Sequence, residues 1–181
     1  MKLKQIAHIT SGLNSIELKN KKEFNNLTTY TNDDIEFDLY QGYQGPQKPA
    51  SNKAITSAGS LIINTMTNQA TIISPQSDGK IMPQHIMRLG LDPQEVDPWY
   101  LCYVLNESES VKRQLYSTME GTVLRRVTAS SIKNLDLDLP AINVQKKIGN
   151  LYRILLVQNR LQREYNQKYN QAILTLLKQS N

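Results

Sequence analysis

The chain has 181 residues, 39% hydrophobic and 20% charged, with 21 basic against 16 acidic side chains and a net charge of +5. That balance suits a soluble folded protein, not a disordered one. A single cysteine excludes a disulfide framework, and two histidines beside it exclude a recognisable zinc set, so a reducing, cytoplasmic setting is expected.

The opening residues, M-K-L-K-Q-I-A-H-I-T, lack the apolar core of a signal peptide. Leu3, Ile6 and Ile9 mark a short first element that stops at the Ser11-Gly12 turn signal. Residues 13–34 are polar, with one strand expected near Leu27–Tyr30. Ile35, Phe37 and Leu39 alternate with Glu36, Asp38 and Tyr40, which predicts a half-buried strand. Residues 41–49 read as a loop by their Gly and Pro content, and Tyr43, Gln44 and Lys48 offer it ring, amide and ammonium groups for contact.

Ser60–Thr65 and Ala70–Ser74 are β-branched runs separated by Met66-Thr67-Asn68-Gln69, a hairpin with a polar tip. The whole stretch Ala54–Ser77 is uncharged, yet its Ser, Thr, Asn and Gln content argues against a membrane span. A turn at residues 77–80 leads to a strand over residues 81–91, interrupted at Pro83. Asp97-Pro98 predicts a capped helix carrying Trp99, Leu101, Cys102, Val104 and Leu105, and a further helix runs from Glu107 to about Met119. Residues 121–127 read as turn and strand, Thr128–Leu135 as a short capped helix, and Leu135–Leu139 as an alternating strand that ends at Pro140.

From there a helix is expected almost to the last residue. Val144, Ile148, Leu151, Leu155, Tyr165, Tyr169, Ala172 and Leu176 fall at heptad steps, and Gln158 and Gln162 fill the middle in register. Residues 143–179 would make a rod of roughly 55 Å. The expected organisation is α+β: a mixed, strand-rich domain over residues 1–140, then one long C-terminal helix over residues 141–181 that forms a coiled coil with a partner helix. The charge divides along the same line. After residue 140, seven basic residues face Glu164 alone, so the rod carries the excess and residues 1–140 are close to neutral. A basic rod suits polyanions or acidic partner surfaces.

No catalytic constellation stands out. Asp97-Pro98-Trp99-Tyr100 lacks the second proline of an amino-methylating loop and reads as a helix cap with core aromatics. Asp78-Gly79-Lys80 is explained by an Asp-Gly turn, and no phosphate-binding loop is present.

Three segments together resemble the specificity subunit of Type I restriction–modification systems. Residues 2–12, K-L-K-Q-I-A-H-I-T-S-G, are similar to that family's opening L-x-E/D-I-A-x-I-x-x-G. Residues 121–140, G-T-V-L-R-R-V-T-A-S-S-I-K-N-L-D-L-D-L-P, resemble its G-S/T pattern that ends in alternating Leu/Ile and Pro. Residues 139–148, L-P-A-I-N-V-Q-K-K-I, resemble its P-P-L-x-E-Q-x-x-I, with Ala141 for the second Pro and Val144 for the Glu. Gly59-Ser60-Leu61-Ile62 matches its G-D-I/L-L strand. The family usually carries two recognition domains and two helices per chain; this sequence shows one of each.

The resemblance implies a non-catalytic, half-length specificity subunit that binds double-stranded DNA and forms a homodimer through its helix. It would read an interrupted palindrome with half-sites at most about 16 base pairs apart. It would dock methyltransferase subunits and, through them, restriction subunits. It implies no cofactor of its own, S-adenosylmethionine entering only through the methyltransferase partners, and no membrane. The expected DNA-binding residues are Tyr43, Gln44, Lys48, Thr65, Thr67, Asn68, Gln69, Gln84, His85, Thr122, Arg125 and Arg126. Arg125 and Arg126 would form a phosphate clamp. The expected dimer seam is Leu151, Leu155, Gln158, Gln162, Tyr165, Tyr169, Ala172 and Leu176, with Leu156, Val157 and Leu161 as a second face toward methyltransferase subunits. The alternative is a coiled-coil assembly or antagonist protein that occupies methyltransferase subunits without reading DNA.

Overall fold

A computed structural model describes residues 1–14, 16, 24, 26–49, 52–118 and 127–179. Four strands form one antiparallel sheet: β1 (Ala7–Ser11), β2 (Leu61–Asn64), β3 (Ala70–Ile72) and β4 (Ile86–Leu91), in the spatial order β1-β4-β2-β3. β2 is buried at every position, because the sheet is covered on both faces. Leu61, Ile63, Met87 and Leu89 point into the main core with Trp99, Leu101 and Leu105. Ile62 and Ile86 point the other way, into a smaller cluster with Tyr30, Ile35, Ile73 and Met82.

Six α-helices with both ends among the described residues surround the sheet: α1 (Leu3–Ile6), α2 (Asn32–Gln41), α3 (Pro98–Glu107), α4 (Glu109–Thr118), α5 (Ala129–Lys133) and α6 (Ile142–Gln179). α3 starts as its sequence dictates: the Asp97 carboxylate accepts the Tyr100 backbone N–H at 2.8 Å, and Pro98 opens the first turn. α5 starts on the Thr128 hydroxyl, which accepts the Ser131 N–H.

The strand expected at residues 35–39 is instead the middle of α2. Thr31 and Asp34 form a reciprocal capping box, and Gly42 closes the helix at φ 62. The buried residues are Ile35, Asp38 and Leu39, at helical spacing, while Phe37 is exposed. Asp38 is fully buried and accepts three hydroxyl hydrogen bonds, from Tyr30 at 2.6 Å, Ser74 at 2.5 Å and Ser77 at 2.9 Å. The strand expected at residues 135–139 is reduced to a bridge between Lys2 and Asp136, and near Leu27–Tyr30 Thr29 bridges to Ile81. The segment before the long helix is tied to the N-terminus: the Leu3 N–H donates to the Leu135 carbonyl at 2.9 Å, and the terminal ammonium meets Asp136 at 2.7 Å.

α6 runs 38 residues, about 57 Å, without a break. Its first half lies across α3 and the end of α2. The buried stripe is Gln145, Gly149, Tyr152 and Leu156, one residue out of step from the expected apolar stripe. Leu156 therefore belongs to the protein's own core, and Val157 is half-buried beside Gly42. That corrects the expectation that Leu156 and Val157 offer a face to methyltransferase subunits; Leu161 remains exposed.

The basic excess of the rod is also partly turned inward. Arg153 donates to the Gly42 carbonyl at 3.4 Å, Arg160 to Gln41 at 3.3 Å, and Arg163 lies 4.8 Å over the Tyr40 ring. These cations meet the C-terminal end of α2, where carbonyls concentrate negative partial charge. No helix among the described residues is long and apolar enough to cross a membrane.

Candidate nucleic-acid interface

The hairpin tip between β2 and β3 is built by Asn64. Its buried side-chain oxygen accepts the Met66 N–H at 2.8 Å and the Thr67 N–H at 3.4 Å, and its backbone exchanges bonds with Asn68 and Gln69. Asn68 sits at φ 59, a left-handed conformation that asparagine tolerates. The Asn64 amide also reaches Asn32 at the start of α2, 2.8 Å away. Thr65 clamps the tip to the residue before β4: its N–H donates to the His85 carbonyl at 2.8 Å and its hydroxyl to the same oxygen at 3.1 Å.

These contacts shape a groove of about 490 Å³ at one end of the sheet, where β1 ends and β4 begins. Thr65, Met66, Gln84 and His85 line it, facing Ser11, Gly12, Val127 and Ala129. Gly12 is required there, since a side chain would strike the carbonyls of Met82 and Pro83. The described lining contains no Asp, Glu, Lys or Arg, and burial pushes the His85 imidazole below its usual range. Hydroxyl and amide groups of this kind can pair with base edges as well as with phosphate oxygens, and a thioether can pack on a thymine methyl.

The expected DNA-binding residues fall into separate places. Thr65, Gln84 and His85 come together in the groove. Thr67, Asn68 and Gln69 instead line a second cavity, of about 330 Å³, between the tip and the base of α6. Asn106, Glu107 and Tyr152 form its far wall. Tyr43, Gln44 and Lys48 lie at the opposite end of β2, where their loop crosses Gly59. There the Tyr43 carbonyl accepts the Trp99 indole N–H at 2.9 Å, and Lys48 is paired with Asp78 at 2.8 Å. Thr122, Arg125 and Arg126 lie outside the described residues, and the chain is described again from Val127.

Along α6, all eight expected seam residues are exposed: Leu151, Leu155, Gln158, Gln162, Tyr165, Tyr169, Ala172 and Leu176. Tyr165 and Tyr169 stack on each other, with ring centroids 6.1 Å apart. Sequence reasoning missed the other face. Gln145 donates to the Pro140 and Glu95 carbonyls, at 2.8 and 3.1 Å, and accepts the Asp97 N–H. A side chain at Gly149 would strike the Tyr100 nitrogen and the Trp99 carbonyl carbon. The lone glycine in a long helix was the signal available for this close approach. Asn106 then links the sheet to the rod: it exchanges bonds with both backbone groups of Ala70, at 2.8 and 3.0 Å, and donates to the Tyr152 hydroxyl at 3.1 Å.

This head-and-rod arrangement is the fold of the S subunits of Type I restriction–modification systems. Over 93% of this chain and 42% of the other, it matches the crystal structure of a Type I S subunit from M. genitalium, with 15% identity and a TM-score of 0.56. The HsdS subunit from Thermoanaerobacter tengcongensis matches 92% of the chain at 15% identity and TM-score 0.55, over 39% of its own length. A structure from work on assembly and conformational transition of the type I R-M system matches 99% of the chain at 17% identity and TM-score 0.61, over 43% of its length. The chain thus spans about two-fifths of each of these proteins, and the likeness is one of fold. No family model and no curated protein matches it.

Proposed function

We propose that this chain is a DNA-reading specificity module of a Type I restriction–modification complex, without catalysis of its own. The observation that carries the reading is the S-subunit fold running through head and rod together, over 99% of the chain in one of these matches. The groove at the sheet end supplies the reading surface, with Thr65, Gln84 and His85 toward base edges. Arg125 and Arg126, which precede the groove residue Val127 in sequence, supply the phosphate contacts. Two copies join through α6 and read two inverted half-sites, giving an interrupted palindrome. Methyltransferase subunits dock on the assembly and bring S-adenosylmethionine; the chain itself needs no cofactor. Restriction subunits join through them, and the complex works in the cytoplasm, where DNA is within reach.

The test is to reconstitute the chain with methyltransferase subunits of a Type I system and select bound duplexes from a randomised pool at moderate salt. Enrichment of one split, inverted sequence is expected, with affinity falling steeply as salt rises. A stable complex that enriches no sequence would overturn the DNA-reading function and leave the antagonist role.

A further inference from the structure

We propose that the groove at the end of the sheet selects A·T base pairs from the DNA major groove, with the Gln84 amide on adenine and the Met66 thioether on a thymine methyl. This deepens the DNA-reading function above and rests on it, naming the base pairs that the groove accepts.

The two side chains are displayed by fixed backbone. Gln84 and His85 are the central residues of a turn that the Ile86 N–H closes on the Pro83 carbonyl at 2.9 Å. In the neighbouring loop, the Met66 N–H is held by the Asn64 side chain at 2.8 Å. The clamp from the Thr65 N–H to the His85 carbonyl, 2.8 Å, ties the two loops together. Met66 follows one clamped residue and Gln84 precedes the other. Both side chains are exposed and line the groove, and neither takes part in the turn or the clamp.

The lining decides which bases fit. In the major groove guanine shows two acceptors, which suit the donors of Arg or Lys, and cytosine shows an amino group, which suits Asp or Glu. The described lining has none of these four residue types. Adenine shows an acceptor and a donor side by side, which match the two ends of a carboxamide. Gln84 is the one carboxamide among the described lining residues. The Thr65 hydroxyl gives its hydrogen to the His85 carbonyl, and a neutral imidazole has one N–H, so neither supplies the pair of donors that guanine takes.

The apolar part of the lining points the same way. Met66 is 58% exposed, and Ala129 is exposed on the facing wall. Of the four bases only thymine carries a methyl group in the major groove, so an apolar contact there is itself a choice of base. The lining also offers no cation to a phosphate among its described residues. In the proposed function that work falls to Arg125 and Arg126, which leaves the groove to the bases.

The complex reconstituted with methyltransferase subunits, and the duplex that it enriches from a random pool, test this at single atoms. An A·T pair is expected at the position where Gln84→Ala relaxes the choice. Replacing that adenine with 7-deazaadenine removes its N7 acceptor; binding is expected to weaken about 10-fold in the parent and to stay unchanged in Gln84→Ala. Replacing thymine with deoxyuridine removes one methyl; about a 4-fold loss is expected at one position or more in the parent, and none there in Met66→Ala. Gln84→Arg is expected to turn the preference at the adenine position to G·C. Thermal melting of each variant checks that these exposed substitutions leave the fold intact. A G·C pair at the position that Gln84→Ala relaxes, or no position relaxed at all, would overturn the proposal. Equal losses from 7-deazaadenine in parent and Gln84→Ala, or from deoxyuridine in parent and Met66→Ala, would do the same. So would a G·C preference that disappears with Arg125→Ala or Arg126→Ala. A stable complex that enriches no sequence would instead remove the DNA-reading function on which the proposal rests.

Discussion

Gln145 of the long helix accepts the backbone N–H of Asp97 at 3.1 Å, one residue before α3 begins. The same amide donates to two carbonyls, so one buried side chain satisfies three backbone groups where two helices start. Gln145→Leu keeps the volume and strands all three. The expected cost is about 2–4 kcal/mol, read as a lower urea midpoint at unchanged slope. A midpoint within error of the parent would mean that water replaces the amide.

Gly149→Ala separates helix propensity from packing. In an open helix the change stabilises by about 1 kcal/mol. Here the new methyl meets the Tyr100 nitrogen and the Trp99 carbonyl carbon, and both are backbone. The clash wins, with a net loss of about 1–3 kcal/mol. Thermal melting decides the sign: a raised Tm would show that α6 can lift away from α3 at little cost.

Asn106 and Tyr152 connect strand β3 to the rod through one hydrogen bond of 3.1 Å. Asn106→Ala and Tyr152→Phe are expected to be non-additive, with a coupling of about 0.5–3 kcal/mol in a double-mutant cycle. Additive losses would reduce Asn106 to a clip on Ala70 alone.

Burial pushes the Asp38 carboxyl above its ordinary value of 3.8, against hydrogen bonds from Ser74, Tyr30 and Ser77 that pull it down. With the folded value above the unfolded one, the folded state holds more protons in the interval between them. Stability associated with Asp38 is complete below the unfolded value and is lost as pH rises through the folded one. Urea titrations from about pH 4 to 7 should show a falling contribution in the parent that Asp38→Asn lacks. Parallel pH profiles for the two proteins would contradict the raised value.

Under the DNA-reading function, groove and clamp have different signatures. Gln84→Ala is expected to cost about 1–3 kcal/mol on the preferred sequence and to relax the choice at one base pair. Arg125→Ala and Arg126→Ala should weaken all sequences alike and each lower the salt slope by about 1. A uniform loss from Gln84→Ala would move that residue from the bases to the backbone.

What the sequence revealed follows from how each element is stabilised. The β2–β3 hairpin, the Asp97 cap and the long helix were legible because β-branched runs, a Pro-opened turn and heptad spacing are local signals. α2 looks like a strand in sequence because Ile35, Phe37 and Leu39 alternate, whereas the capping pair Thr31 and Asp34 carries the helical signal. The exposed face of α6 was visible as an apolar stripe. Its buried face was not, since Gln145 and Gly149 act through hydrogen bonds and absence of bulk, which leave no hydrophobic trace. The split of the expected DNA-binding set has a similar origin. Residues 43–48 and the hairpin tip are both polar loops, and only the sheet register puts them at opposite ends of β2.

The clamp between Thr65 and His85 grips a main-chain oxygen and ignores the imidazole. The tip is shaped by Asn64, whose side chain holds the amides of its neighbours but not their side chains. Met66, Thr67 and Gln84 are exposed, and their side chains take no part in these bonds. The scaffold and the lettering it displays are therefore separable. If the proposed DNA-reading function holds, substitutions at Met66 and Gln84 in the groove can drift to a new recognition sequence without passing through an unfolded ancestor, so such a module could change its target faster than its shape.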